Sequence, residues 1–176
     1  HFTDFTEYGR YLKMRVLMTG GGTGGHVNPA LAIANTIKEN DPASEIAFVG
    51  TPRGIENKLV PAAGYKLYHV DVRGLRRSFS PANIRAAWLA LTSPAKAKKL
   101  IKQFRPDVVI GTGGYVSWPV VKAAAKMGIP TALHESNATP GMAVRMLSGD
   151  VDRIYLNFEA AGAGIRDKDK LMLVGC

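Results

Sequence analysis

Cysteine is nearly absent from this 176-residue chain; Cys176 is the single one, so no internal disulfide can form. That excludes a small disulfide-stapled scaffold and suits a reducing, cytoplasmic compartment. Long apolar runs are missing too, and no stretch reaches the roughly 18 apolar residues of a bilayer-crossing helix. The opening residues, His1 to Lys13, hold neither the apolar stretch nor the cleavage site of a secretory signal. They are expected to be an extension or remnant (1–13), with Met14 as the start of a single domain (14–176). Metal chemistry is also poorly provided for, since no Cys/His set has ligand spacing. Neither a metal nor a cofactor is expected. Acid is the scarce charge: 14 Asp and Glu face 23 Lys and Arg, for a net charge of +9. The shortage is local. Between Lys66 and Arg105, ten basic residues are opposed by Asp71 alone, a pattern that implies either an anionic partner or a solvated basic face.

What is present suffices for a packed core. The apolar fraction of 46% is ordinary for a globular protein, and a domain near 150 residues buries roughly 70% of its unfolded surface. Short β-branched runs alternate with helical stretches. Strands are expected at Arg15–Thr19, Ile46–Val49, Leu67–Val72, Val108–Ile110, Thr131–Leu133, Arg153–Leu156 and Leu171–Val174. Between them the pattern predicts helices over about Pro29–Lys38, Ile55–Ala63, Ala82–Phe104 (broken near Pro94), Val120–Met127 and Met142–Leu147. Continuous apolar strands separated by helices predict an α/β, Rossmann-like, doubly wound parallel sheet, with ligands at the C-terminal ends of its strands. The chain stops just after the last strand, and it is expected to be a fragment.

The strongest local signal is Thr19-Gly20-Gly21-Gly22-Thr23-Gly24-Gly25-His26, between the first strand and its helix. Glycines permit a sharp turn and close backbone approach, and the helix N-terminus behind them favours a diphosphate or sugar oxygen; a tight turn without ligand is the plainer alternative. Gly20, Gly22 and Gly25 also satisfy G-x-G-x-x-G, so a nicotinamide-dinucleotide module is the first rival. That module needs a carboxylate after the second strand, where this chain reads Gly50-Thr51-Pro52-Arg53. His26, at a helix start that disfavours the imidazolium, is a candidate general base; a capping histidine is the alternative.

A second cluster, Gly111-Thr112-Gly113-Gly114-Tyr115-Val116-Ser117, and a third segment, His134-Glu135-Ser136-Asn137, follow the fourth and fifth strands onto the same rim. Three such segments on one edge suggest two phosphates, or two ligands meeting. The pairs Asp150/Asp152 and Asp167/Asp169 have DxD spacing but are expected at the surface. Within the basic block, Leu75, Phe79 and Trp88 lie among Arg73, Arg76, Arg77 and Arg85. Ile84, Trp88 and Leu91 recur at helical spacing, so part of this stripe faces the core. The remainder, which Trp118 could join, suits an anionic membrane surface better than nucleic acid, which is not an expected partner.

Taken in order, GGGTGGHVNPALAIA, FVGT, RPDVVIGTGGYVSWP and GIPTALHESNATPG resemble the GT-B glycosyltransferase family often called MurG, over Met14 to Gly175. The resemblance implies the N-terminal half of a two-domain, inverting N-acetylglucosaminyltransferase of peptidoglycan synthesis. Its donor would be UDP-N-acetylglucosamine and its acceptor undecaprenyl-diphosphate-linked MurNAc-pentapeptide, at the cytoplasmic face of the bacterial plasma membrane as a peripheral protein. By the same resemblance, Thr23, Gly24, Gly25 and Asn137 contact the donor and His26 is the proposed base. Gly22, Gly113, Gly114 and Tyr115 belong to the acceptor or diphosphate loops. Arg73, Leu75, Arg76, Arg77, Phe79, Arg85 and Trp88 align with the membrane patch. Ser136 stands where the family usually has Gln, and Cys176 where it usually continues Gly-Asn-Pro. A fragment ending there is not expected to catalyse transfer alone.

Overall fold

The computed structural model describes residues 13–72 and 81–175, with residues 81–92 described as backbone alone. Among the described residues, seven strands form one all-parallel sheet in the order β3-β2-β1-β4-β5-β6-β7. They are β1 (Arg15–Gly20), β2 (Glu45–Gly50), β3 (Lys66–His69), β4 (Val108–Gly113), β5 (Thr131–Glu135), β6 (Arg153–Leu156) and β7 (Leu171–Leu173). The helices are α1 (Gly24–Asn40), α2 (Glu56–Ala62), α3 (Pro81–Phe104), α4 (Ser117–Lys126) and α5 (Met142–Leu147), with two short 3-10 turns at Glu159–Gly164 and Lys168–Lys170.

The period-2 alternation of side chains divides the core between the two faces. Val16, Met18, Ile46 and Phe48 point to one face, where Val27, Ala30 and Ala34 of α1 and Val60 of α2 cover them. Leu17, Ala47, Val49 and Val109 point to the other, against Ala97, Ile101 and Phe104 of α3 and Val120, Val121 and Ala124 of α4. With helices on both faces, the strands can be apolar on both sides, which is why they read as continuous runs. Chain order reverses between β1 and β4, the neighbours from which the sheet was wound outwards in both directions.

Three helices differ from expectation. α4 begins at Ser117, three residues before Val120. α1 begins at Gly24, five residues before Pro29, so the last two glycines of the first cluster form a helical turn. α3 runs unbroken through Pro94. The proline removes one helical hydrogen bond and costs about 3 kcal/mol, but burial of Ala97, Ile101 and Phe104 in the following turns holds the helix together. The Arg15 side chain clasps its end, with Nε donating to the Phe104 carbonyl at 2.8 Å and the guanidinium 4.6 Å from the Phe104 ring.

Phe48, 1% exposed and 5.3 Å from the Tyr65 ring, fills the centre of the α1/α2 face. Phe48→Ala is expected to lower unfolding free energy by about 3–5 kcal/mol in urea denaturation.

Candidate functional site

Because β1 and β4 are neighbours, the two glycine loops leave the sheet side by side at the point where strand order reverses, the usual ligand crevice of such sheets. Pairing changes register there: Thr19 faces Gly111 and Gly20 faces Gly113, so Thr112 is the extra residue of a bulge. Thr112 turns its hydroxyl to the His26 carbonyl (2.6 Å), into space that a Cβ on Gly20 would occupy. Ser117, fully buried, closes the second loop by donating to the carbonyls of Gly113 (2.6 Å) and Thr19 (3.0 Å).

The loops touch through glycine. A Cβ on Gly114 would collide with the Gly21 carbonyl, and one on Gly113 would lie 2.6 Å from Cδ2 of the His26 ring. Both residues have positive φ, 110° at Gly113 and 81° at Gly114, a region that other residues enter at a cost. His26 is half-buried in the first turn of α1. Its Nδ1 lies 3.2 Å from the Gly21 carbonyl oxygen and 3.2 Å from the Thr23 hydroxyl. A carbonyl only accepts, so the Gly21 bond requires the hydrogen on Nδ1, and in a neutral ring that tautomer leaves the lone pair on Nε2; the Thr23 hydroxyl can serve either tautomer. Thr23 is the N-cap, extended and making no side-chain cap bond. The amides of Gly24 and Gly25 have no acceptor within the helix, and the first turn contains no acidic residue. The result is an open, partly positive helix end beside the His26 ring.

One residue that organises the loop escaped the sequence reading. Glu56, the first residue of α2, is fully buried. Its carboxylate accepts from the amides of Gly22 (3.0 Å) and Thr51 (2.7 Å) and from the Thr51 hydroxyl (2.8 Å). The side chain lies in a groove left by three glycines: a Cβ on Gly21 would come within 2.6 Å of Oε1, and one on Gly50 or Gly54 would also clash with it. Burial pushes the carboxyl up. The amides of Gly22, Thr51 and Glu56 itself, with the Thr51 hydroxyl, outweigh that and hold it below its ordinary value of 4.5. The signal available was weak: Glu56 is the lone carboxylate between Glu45 and Asp71, with Gly50 and Gly54 just before it. This is also the carboxylate nearest the end of β2. It faces inward onto the loop instead of outward to a ribose, so the dinucleotide reading gains no support.

The other expected residues are distributed as follows. Gly22 has φ 86°, and its amide already serves Glu56. Tyr115 is 59% exposed on the second loop. Asn137 lies at the exit of β5, next to β4, where Glu135 holds both its amide (2.9 Å) and its side-chain nitrogen (2.8 Å). Among the described residues Asn137 makes no hydrogen bond to either glycine loop. Glu135 is buried and also accepts from Gly141 (2.7 Å). His134 links β5 to Asn157 (2.9 Å), a structural use. Trp118 packs half-buried on the larger core. Asp150 pairs with Lys122 (2.6 Å), Asp152 accepts from Thr131 (2.8 Å), and Asp167 pairs with Lys170 (3.4 Å). Arg73, Leu75, Arg76, Arg77 and Phe79 lie outside the described residues, as do residues 1–12 and the side chains of Ile84, Arg85, Trp88 and Leu91.

The strand order and the paired glycine loops at its reversal define a doubly wound α/β domain of the kind that binds phosphate-bearing ligands at the strand ends. Residues 16–156 match the Glycosyltransferase family 28 N-terminal domain, and the chain belongs to that family. The UDP-N-acetylglucosamine--N-acetylmuramyl-(pentapeptide) pyrophosphoryl-undecaprenol N-acetylglucosamine transferase of Lactococcus lactis subsp. cremoris (strain MG1363) is 53% identical over 148 residues, 84% of this chain and 42% of the relative. The protein of the same name from Alkaliphilus oremlandii (strain OhILAs) is 49% identical over 162 residues, 92% of this chain and 44% of that one. The chain thus spans less than half the length of these curated relatives. Among solved structures, Acinetobacter baumannii MurG is similar with a TM-score of 0.75 at 31% identity, covering 90% of this chain and 44% of that one. UDP-GlcNAc 2-epimerase from Neisseria meningitidis, at TM-score 0.67 and 15% identity over 91% of this chain and 46% of that one, shares the fold.

Two outcomes follow from the loop geometry. Gly113→Ala forces a side chain into the positive-φ region against the His26 ring, and a loss of about 1–2 kcal/mol is expected in denaturant titration, with displaced His26 ring signals in NMR. Glu56 binds its proton less readily folded than unfolded, so its contribution is complete above about pH 4.5 and is lost as pH falls through the lower folded value. Glu56→Gln is therefore expected to flatten the acid limb of the stability–pH curve; parallel limbs for both proteins would contradict this.

Proposed function

We propose that this domain is the acceptor- and membrane-side half of an inverting hexosyltransferase. It would serve transfer of N-acetylglucosamine from UDP-N-acetylglucosamine to undecaprenyl-diphosphate-linked MurNAc-pentapeptide. The observation that carries the reading is the juxtaposition of the His26 ring, its Nδ1 against the Gly21 carbonyl, and the open amides of Gly24 and Gly25. The names of relatives about half identical supply the substrates.

In this reading His26 Nε2 takes the proton from the acceptor's sugar hydroxyl while that oxygen attacks the anomeric carbon of the donor. The anomeric carbon–oxygen bond breaks with inversion, and UDP leaves with the electron pair. The α1 amides and the positive end of the helix stabilise diphosphate charge beside the reacting centre. Thr23 and Asn137 approach the donor from this side of the cleft, and Tyr115 stands over the acceptor. The remaining donor contacts belong to a second domain of the whole enzyme. The basic–apolar stretch from Arg73 to Trp88 rests on anionic lipid at the cytoplasmic face of the plasma membrane, each nearby cation contributing on the order of 1 kcal/mol. No helix among the described residues is long and apolar enough to cross a membrane.

In the enzyme containing this domain, His26→Ala is expected to lower kcat by at least about 100-fold with little change in KM for the donor; near-normal turnover would remove His26 from the mechanism. For the membrane contact, co-sedimentation with anionic vesicles is expected to fall when Leu75 and Phe79 are both changed to Ser. Unchanged binding would mean that charge alone holds the protein there.

A further inference from the structure

The Gly21–Gly22 peptide group is engaged at both ends by side chains from different elements. Its N–H, on Gly22, donates to Oε2 of Glu56 at 3.0 Å, and its carbonyl, on Gly21, lies 3.2 Å from Nδ1 of His26. The described chain contains no cis peptide, so N–H and C=O point to opposite sides and the two side chains face one another across a single amide. We propose that Glu56 is a positioning residue for His26, acting through this peptide as the carboxylate of an acid–histidine pair acts by direct contact.

Three observations support the arrangement. Glu56 is fully buried and lies in a groove cut by Gly21, Gly50 and Gly54, so the fold reserves space for this one carboxylate. Its acceptor capacity is directed at the loop, through Gly22 and Thr51, with no ion-pair partner among the described residues. Gly114 packs against the Gly21 carbonyl, more closely than any residue with a Cβ could. An anion on the N–H side of an amide polarises it, and hydrogen bonds in such a chain strengthen one another by roughly 10–30%. The carbonyl that receives the His26 Nδ1 hydrogen is therefore a stronger acceptor than an ordinary loop carbonyl. This favours the Nδ1–H tautomer, leaves the lone pair on Nε2, and stabilises the ring when Nε2 takes a proton. Thr23, whose hydroxyl is also 3.2 Å from Nδ1, accepts the second branch of the same donor.

The inference deepens the transferase reading and rests on it for the meaning of the lone pair, but the tautomer can be read without turnover. In the full 176-residue chain, imidazole nitrogen NMR is expected to show Nδ1 protonated and Nε2 bare at neutral pH. Glu56→Gln, matched in size and uncharged, is expected to shift the population at least twofold towards Nε2–H. Glu45→Gln, which removes a carboxylate bound to Arg15 at the opposite edge of the sheet, is expected to leave it unchanged. A wild-type Nε2–H tautomer, an unmoved tautomer in Glu56→Gln, or an equal shift in Glu45→Gln would each overturn the proposal. If Glu56→Gln does not fold, Glu56→Asp keeps the charge and withdraws it by one methylene. A partial shift accompanied by a weakened Gly22 amide hydrogen bond supports the coupling, and a weakened bond with no shift overturns it. In the whole enzyme, Glu56→Gln is expected to lower kcat about tenfold while donor KM holds, with Glu56→Asp recovering part of the loss. A tautomer shift without that kinetic effect would leave the coupling intact and instead count against His26 as the base.

Discussion

The close approach of Gly114 to the Gly21 carbonyl is the constraint on which the rest of the site depends. Two loops that begin on adjacent strands can form one surface only if their backbones come nearer than any side chain permits. The parallel sheet supplies the adjacency, because winding outwards from β1 and β4 leaves both exits at the reversal. The bulge at Thr112 adjusts the second exit, and the glycines remove what would otherwise hold the loops apart. His26 then occupies the volume that Gly113 leaves empty, so the ring's position follows from an absent side chain as much as from its own hydrogen bonds.

Charge is arranged around this contact in a consistent order. Behind the first loop lies a buried carboxylate, Glu56, and behind the third a second one, Glu135, each holding loop amides. In front stand the unpaired amides at the start of α1, with no acid in that turn. In the proposed function, an anion at the rim would meet the N–H groups of Gly24 and Gly25. The Gly22 amide, already committed to Glu56, faces away from it. Which amides remain open is a distinction invisible in a count of glycines.

The sheet, its order of elements and the placing of three segments on one rim were legible in the sequence, because apolar runs and glycine clusters are local signals. The start of α1 was not, since Gly24 and Gly25 are poor helix formers and Pro29 looked like a beginning; packing of Val27, Ala30 and Ala34 on the sheet overrides that preference. Pro94 misled for the same reason, local propensity yielding to burial in α3. Glu56 was missed because a glutamate opening a helix is ordinarily a solvated residue, and only the fold reveals that glycines from two loops surround it. Asp150 and Asp152, despite their DxD spacing, are each engaged with a neighbouring Lys or Thr.

In the proposed function, the rim selects diphosphate by specific amides. The most direct test is amide NMR of the chain titrated with a soluble diphosphate-linked sugar. The account predicts saturable shifts at Thr23, Gly24, Gly25 and Gly114, with the Gly22 amide nearly stationary. Shifts centred on Gly22, or none along this rim, would contradict it.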